Sequence, residues 1–164
     1  MKQQIKVVFS LSNFISPNRA LKGTSIKSKK KMFETLSALL ASDKETPISE
    51  NIIYQKLYER ERIGSTAVGK GVVIPHCRIP ELNLTRMAII VLDEPIEYDS
   101  PDDLPVDIFL AVIFPENVRD IHLKFLSKVA KFLREESFRD ILRSAENNKA
   151  LFDIISDSSY QDNA

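Results

Sequence analysis

The sequence has little cysteine, no long apolar run and no excess of charge of either sign. Its single cysteine, Cys77, cannot form an internal disulfide, which indicates a reducing cytosol. The longest apolar run covers only 108–114, whereas a membrane-spanning helix needs roughly 20 residues. Lys plus Arg and Asp plus Glu each total 23, so charge gives no reason to expect a nucleic acid or an anionic membrane as the main partner.

Length and composition indicate one folded domain. A chain of 164 residues buries roughly 70% of the surface of its unfolded form, enough for a substantial core. Apolar residues make up 43% and charged residues 28%, close to the average for folded proteins. The N-terminus shows no signal-peptide pattern, and no long linker divides the chain. We therefore expect a single domain over 1–164.

Hydrophobic periodicity predicts an α/β fold. Five helices are predicted, at 26–41, 48–62, 115–134, 138–143 and 149–156. In the second helix, Thr46 is the predicted N-cap and Pro47 lies in the first turn. The segment 158–164 is expected to fray.

Three short apolar segments are predicted strands, at 72–75, 85–92 and 106–114. The last two are apolar on both faces, which is typical of a sheet covered on both sides. We expect a mixed parallel and antiparallel sheet of about five strands with helices on both faces, and a loop over 93–105.

Glycine is also scarce, and its distribution is uneven. Three of the four glycines lie within 64–71, which predicts a loop with unusual backbone angles. This segment matches part of the nucleotide-binding P-loop, but Gly71 replaces the hydroxyl residue that would bind magnesium. It also follows a charged helical turn and leads into a strand, the reverse of the P-loop context. A nucleotide-binding enzyme stays only as an alternative, which saturable ATP binding would support.

Few side chains could carry chemistry. His76, Cys77 and His122 are the nitrogen and sulfur candidates for a metal site, but no carboxylate has ligand spacing with either histidine, so no metal or cofactor is expected. Ser65 could be paired with His76 in a hydrolase, although G-S-T is not the G-x-S-x-G elbow. His76 follows Pro75 at a predicted strand end beside the glycine-rich loop, a place where α/β proteins often carry functional groups.

One segment closely resembles the active-site signature of the type-2 enzyme IIA domains of the bacterial phosphoenolpyruvate-dependent phosphotransferase system. It runs from Arg60 to His76 and reads RERIGSTAVGKGVVIPH. The segments 94–99, 104–115 and 122–130 follow in the family's order, and the resemblance covers about 25–156. The continuation Cys77-Arg78 is more similar to the nitrogen-regulatory branch than to the fructose or mannitol branches.

The resemblance implies a phosphoryl relay. His76 would accept a phosphoryl group on Nε2 from a phosphorylated phosphocarrier protein, Arg60 and His122 would stabilise it, and Ser65 and Thr66 would support it. The chemistry agrees, because an imidazole with a pKa near 6.5 is a competent nucleophile and a guanidinium offers a forked donor to two oxygens. Phosphoryl transfer depends mainly on positioning and charge stabilisation.

Several alternatives remain open at this point. Arg62 and Arg78 compete with Arg60, since both lie close to the loop or to His76. The leading hypothesis is a cytoplasmic regulatory protein that acts on target proteins according to its phosphorylation state, a relay component rather than a free-standing metabolic enzyme. One alternative is a sugar-transport component that passes the phosphoryl group to a IIB cysteine. Another is an interaction module that is not phosphorylated in the cell. The oligomeric state stays open.

Two charged segments lie outside this signature. The basic segment 27–31 is interpreted as a solvated helix start, although lysines in a first turn are unfavourable for the helix dipole. The acidic segment 93–107 has seven acids and no base, which is typical of a solvated loop or of a surface that recognises a basic partner.

Overall fold

The computed structural model describes residues 6–43, 48–116 and 119–163. Five α-helices occur in these ranges: α1 (Lys29–Leu40), α2 (Glu50–Ile63), α3 (Arg119–Arg134), α4 (Glu136–Ser144) and α5 (Asn148–Ser156). The strands are β1 (Lys6–Ser10), β2 (Ala20–Lys22), β3 (Ala67–Gly69), β4 (Val72–Val73), β5 (His76–Ile79), β6 (Arg86–Ile96), β7 (Val106–Pro115) and β8 (Ser159–Asn163). None of these helices combines the length and the apolar character needed to cross a membrane.

Six strands form one mixed sheet. Five of them follow the order β2-β6-β7-β4-β3, and the sixth, β5, also pairs with β7. The two long strands β6 and β7 are antiparallel, whereas β2 runs parallel to β6. On the other edge of β7, β4 and then β5 pair with it in parallel. The predicted α/β fold with a mixed sheet is confirmed, with six strands where about five were expected.

Strand β7 shows why residues 108–114 of the sequence are continuously apolar. Its residues alternate between two cores, one on each face of the sheet. Phe109, Ala111 and Ile113 pack in the core that α1 and α2 cover, and the intervening residues pack under α3, α4 and α5. Because both faces are covered along 108–114, each of these positions is buried and apolar. The prediction of helices on both faces is confirmed.

The helix starts differ from the predicted ones. Helix α1 begins at Lys29 rather than at residue 26, because the Ser28 hydroxyl accepts the Lys31 N–H at 3.1 Å and caps the first turn. Helix α2 begins at Glu50. The predicted cap Thr46 and the predicted first-turn Pro47 lie outside the described residues, as do residues 117 and 118 of the predicted helix 115–134.

The predicted frayed tail is wrong. Residues 159–163 form β8, which pairs antiparallel with β1 so that Tyr160 lies opposite Phe9. The Leu11 N–H also donates to the Ser158 carbonyl at 3.2 Å. This two-stranded ladder gives the backbone polar groups of both chain ends hydrogen-bond partners. Its two strands come from opposite ends of the chain, so no local pattern could reveal it.

The strand predicted at 72–75 is interrupted, and His76 begins a strand instead of following one. Proline has no N–H for the ladder, and β4 ends before Pro75. The Pro75 carbonyl accepts the Val112 N–H at 2.9 Å, and pairing with β7 resumes from His76. Strand β6 also extends to Ile96, so the predicted loop 93–105 is shorter than expected.

Some residues of the two charged segments form contacts that stabilise the fold. From the acidic segment 93–107, Asp107 pairs with Arg143 at 2.8 Å and Asp93 with Lys22 at 2.9 Å. The basic segment 27–31 starts α1, as interpreted. Its Lys29 ammonium lies 5.0 Å from the ring centre of Tyr98, a cation–π contact.

Candidate functional site

His76 lies on the edge strand β5, where its Cα is paired with Val112 of β7. Its neighbour Cys77 is buried in the core under α1 and α2, so the alternation of the strand directs His76 to the α3 side. The half-buried imidazole lines two adjoining pockets of about 510 and 430 Å³ between α2 and α3. Burial raises the pKa of Cys77 to about 12, so its thiol stays protonated at neutral pH.

The tautomer of His76 follows from one hydrogen bond. Its Nδ1 lies 2.8 Å from the Ile74 carbonyl oxygen. A carbonyl only accepts, so Nδ1 carries the hydrogen and the lone pair of the neutral ring lies on Nε2. Burial lowers the pKa of His76 more than the Ile74 carbonyl raises it, and the charge of Arg60 lowers it further. The ring is therefore a neutral imidazole whose free nitrogen is Nε2.

The structure places the three candidate arginines in different surroundings. Arg60, in the last turn of α2, lines both pockets with His76 and donates from Nη1 to the Gly64 carbonyl at 2.9 Å. Arg78 lines the larger pocket. The guanidinium of Arg62 instead lies 6.0 Å from the ring centre of Tyr58. Arg60 and Arg78 therefore share a pocket with His76, and Arg60 is also held in place by its bond to the loop.

His122 and His76 both line the larger pocket. It projects from α3, is 7% exposed, and stacks on Phe114 with ring centres 4.4 Å apart and planes 22° apart. Burial and, to a smaller extent, the charge of Arg78 lower the pKa of His122. A neutral ring keeps one N–H, so His122 can donate one hydrogen bond to an anion in the pocket.

Ser65 and Thr66 lie at the smaller pocket, with their hydroxyls engaged by the protein. Ser65 Oγ donates to the Asp99 carbonyl at 2.5 Å. Thr66 donates twice to Glu61, from its N–H at 3.0 Å and from its hydroxyl at 2.5 Å. Direct support of a phosphoryl group by these two residues stays a prediction.

Glu61 is the residue that sequence reasoning missed. It is 4% exposed and also accepts the Tyr98 hydroxyl at 2.6 Å. A signal was present, because Ile53, Leu57 and Glu61 recur every four residues along the buried side of α2. A carboxylate on such a stripe must have hydrogen-bond donors. The sequence could not show that these donors are Thr66 and Tyr98.

The glycine-rich segment is a hairpin rather than a P-loop. It connects α2 to β3 and β4, which pair antiparallel. Gly69, Lys70 and Gly71 have φ values of 91°, 58° and 80°, so the predicted unusual angles are confirmed at the hairpin tip. Gly64 has an extended φ of 177°. Helix followed by hairpin is the wrong context for a phosphate-binding loop that opens a helix.

Substituting Gly71 by alanine should destabilise the hairpin. Its Cβ would lie 2.7 Å from Arg143 Nη2 and 2.9 Å from Asp107 Oδ1, at a φ that L-residues rarely adopt. We expect the free energy of unfolding in urea to fall by about 2–3 kcal/mol. Gly64→Ala is the matched control, because nothing lies within 4 Å of its Cβ, and it should change stability by less than about 0.5 kcal/mol. Equal losses in both variants would contradict the steric account.

Both histidines should titrate below the ordinary imidazole pKa of about 6.5. A lowered pKa keeps the ring neutral to lower pH, so any reaction that needs a neutral His76 should lose rate only below pH 6.5. The chain has two histidines, and NMR titration of the ring carbons with His122→Gln for assignment would measure each midpoint. A His76 midpoint at or above 6.5 would contradict this prediction.

Comparison with known proteins agrees with the geometry. The model of the family described as "Phosphoenolpyruvate-dependent sugar phosphotransferase system, EIIA 2" matches residues 13–158. The chain belongs to this family. Within this IIA family, it is 35% identical over 148 residues to a nitrogen regulatory protein of Pseudomonas aeruginosa, covering 90% of this chain and 95% of the relative.

The chain is also similar to a solved nitrogen regulatory structure and to a sugar-specific relative. The crystal structure of nitrogen regulatory protein IIA-Ntr from Neisseria meningitidis superposes with a TM-score of 0.81 at 30% identity, covering 88% of this chain and 98% of that one. A fructose-specific EIIA component of Haloferax volcanii is 30% identical over 101 residues, which cover 62% of this chain and 66% of the relative. The match to the Pseudomonas aeruginosa relative therefore extends over more of the chain than the match to this fructose-specific protein.

Proposed function

We propose that the chain is the phosphoryl-accepting IIA protein of a nitrogen-related phosphotransferase system, and that its phosphorylation state regulates target proteins. His76 takes the phosphoryl group from a phosphorylated phosphocarrier protein. The observation that carries this proposal is the bond from His76 Nδ1 to the Ile74 carbonyl, which leaves the Nε2 lone pair as the nucleophile. The extensive match to nitrogen regulatory relatives supports the regulatory branch.

The phosphoryl transfer needs no separate base, because the attacking nitrogen carries no proton. The Nε2 lone pair attacks phosphorus, a nitrogen–phosphorus bond forms, and the bond from phosphorus to the donor's leaving atom breaks. The Nδ1 proton stays on the ring and keeps its bond to the Ile74 carbonyl, which helps to stabilise the positive charge that the ring gains. The phosphoryl oxygens would accept hydrogen bonds from the Arg60 guanidinium and the His122 ring, since both side chains share the pocket with His76.

The surroundings of His76 suit a protein donor. Three exposed apolar side chains belong to the residues that line the two pockets: Ile63 at 85% exposed, Leu123 at 67% and Val68 at 52%. Exposed apolar residues grouped around a reactive side chain are typical of a protein-binding surface. Phosphorylation adds about −1.5 to −2 charge at pH 7 at the centre of this surface, which would change its preference among partners.

A relay assay tests the proposal. The protein is incubated with labelled phosphoenolpyruvate, enzyme I and a phosphocarrier, and we expect label that is labile to acid and stable to alkali. A second reaction adds a sugar-specific IIB protein with its cysteine. Onward transfer there would favour the sugar-transport alternative, and retention of the label would favour the regulatory role. Absence of label while the carrier is shown to be charged would contradict the proposal.

A further inference from the structure

Glu61 begins a continuous path of hydrogen bonds that ends on the His76 ring. Its carboxylate accepts the Thr66 N–H and hydroxyl, the Thr66 carbonyl accepts the Ile74 N–H at 3.1 Å, and the Ile74 carbonyl accepts His76 Nδ1–H at 2.8 Å. Glu61, Thr66 and Ile74 are 4%, 6% and 5% exposed, so little water can compete for these bonds.

Ile74 lies in the gap between β4 and β5, and its N–H and its carbonyl belong to two different peptide units. Its N–H donates to Thr66 rather than to β7, whereas the carbonyl of the next residue, Pro75, is held by Val112. Because Thr66 is the partner on the N–H side of Ile74, a displacement of the Thr66 backbone would move Ile74 and change the direction of its carbonyl. Two bonds from Thr66 to one buried carboxylate fix that backbone at the start of the hairpin.

The tautomer of His76 is the property that this path controls. Free histidine in water favours the tautomer protonated at Nε2, which has no lone pair at that nitrogen. The Nδ1–H form must therefore be held by its acceptor, the Ile74 carbonyl. We propose that Glu61 is a positioning residue that acts through Thr66 and Ile74 to hold His76 in the tautomer whose Nε2 is free to accept a phosphoryl group.

This inference rests on the proposed function for its catalytic consequence. It also gives Thr66 a role different from the predicted direct support of the phosphoryl group. The hydroxyl of Thr66 anchors the hairpin start to Glu61, and its carbonyl directs Ile74. The bond from Tyr98 reaches the same carboxylate from the segment after β6 and leads no further toward His76, so it provides a matched control.

The test measures the His76 tautomer by ¹⁵N NMR in the unphosphorylated protein, with His122→Gln for assignment. Glu61→Gln and Thr66→Val are expected to raise the population protonated at Nε2. The two Thr66 donors bind different oxygens of the Glu61 carboxylate, and glutamine keeps only one acceptor oxygen, whereas valine lacks the hydroxyl. Thr66→Ser should restore the wild-type ratio. Tyr98→Phe should leave the ratio unchanged, because it removes one bond to Glu61 without breaking the path.

The same variants are then compared in single-turnover phosphoryl uptake. Glu61→Gln and Thr66→Val should slow the step about tenfold without raising the KM for the donor, since the exposed side chains of Ile63, Leu123 and Val68 are unchanged. Circular dichroism checks folding, and if Glu61→Gln fails to fold, the Thr66 pair decides alone. A wild-type tautomer ratio in Thr66→Val, or an equal shift in Tyr98→Phe, would overturn the proposal. If wild type takes up no phosphoryl group while the tautomer shift occurs, the proposed function fails and the positioning of the ring stands.

Discussion

Replacing His76 by glutamine is expected to abolish phosphoryl uptake. The glutamine amide has no nucleophilic lone pair on nitrogen, so no other atom at this position of β5 can form the nitrogen–phosphorus bond. Because His76 is half-buried at the edge of the sheet, the variant should keep the fold of the wild type. The measurement is label incorporation from a charged phosphocarrier, followed to long times so that a slow reaction is distinguished from none.

The second histidine supplies the control. His122→Gln keeps His76 and removes only a donor in the same pocket, so it should react more slowly, by about 10²-fold, and still reach full occupancy. Label on the His76→Gln protein with the same acid lability would show that His122 or another group carries the phosphoryl group. Full and fast labelling of both variants would exclude each histidine as the sole acceptor.

Replacing Arg60 by alanine is expected to slow phosphoryl uptake by about 10²-fold. The transferring group carries its charge on three oxygens, and one well-placed donor to such a charge typically contributes 10²–10³ in rate. Within the described residues no carboxylate forms an ion pair with Arg60, and its bond to the Gly64 carbonyl fixes the guanidinium beside His76. Single-turnover uptake measures the effect, and Arg60→Lys should recover only part of the rate, because lysine keeps the charge and loses the fork.

The neighbouring arginine provides a matched comparison. Arg62→Ala removes the same charge two residues away, at a side chain that lies over Tyr58, and should leave the rate within about twofold of wild type. Arg78→Ala should have an intermediate effect through His122, whose pKa its charge lowers. A large loss of uptake rate in Arg62→Ala, with no loss in Arg60→Ala, would assign the stabilising role to Arg62. That result would contradict the prediction, since Arg60 is the arginine that lines the pocket.

The sequence alone was enough to recognise the signature segment of the family and to predict a sheet covered by helices on both faces. The spacing of Arg60, Gly64 and His76 identified the signature before any coordinates, because the chemistry is carried by residue types at fixed separations. The continuous apolar run of β7 predicted a sheet covered on both faces, since each position of such a strand must be buried. The glycine cluster predicted a loop with unusual backbone angles over 64–71, and Gly69 and Gly71 have positive φ values there.

Only the tertiary structure decided which polar groups meet. Helical periodicity shows that Glu61 lies on the buried side of α2, but Tyr98 lies 37 residues further along the chain and reaches it through the packing of the sheet. Three other features have the same origin: the position of Arg60 rather than Arg62 in the pocket lining, the interruption of β4 before Pro75 and the pairing of β1 with β8. Local sequence patterns report the face on which each residue lies, whereas contacts between distant segments are selected by packing and by the need of buried polar groups for partners.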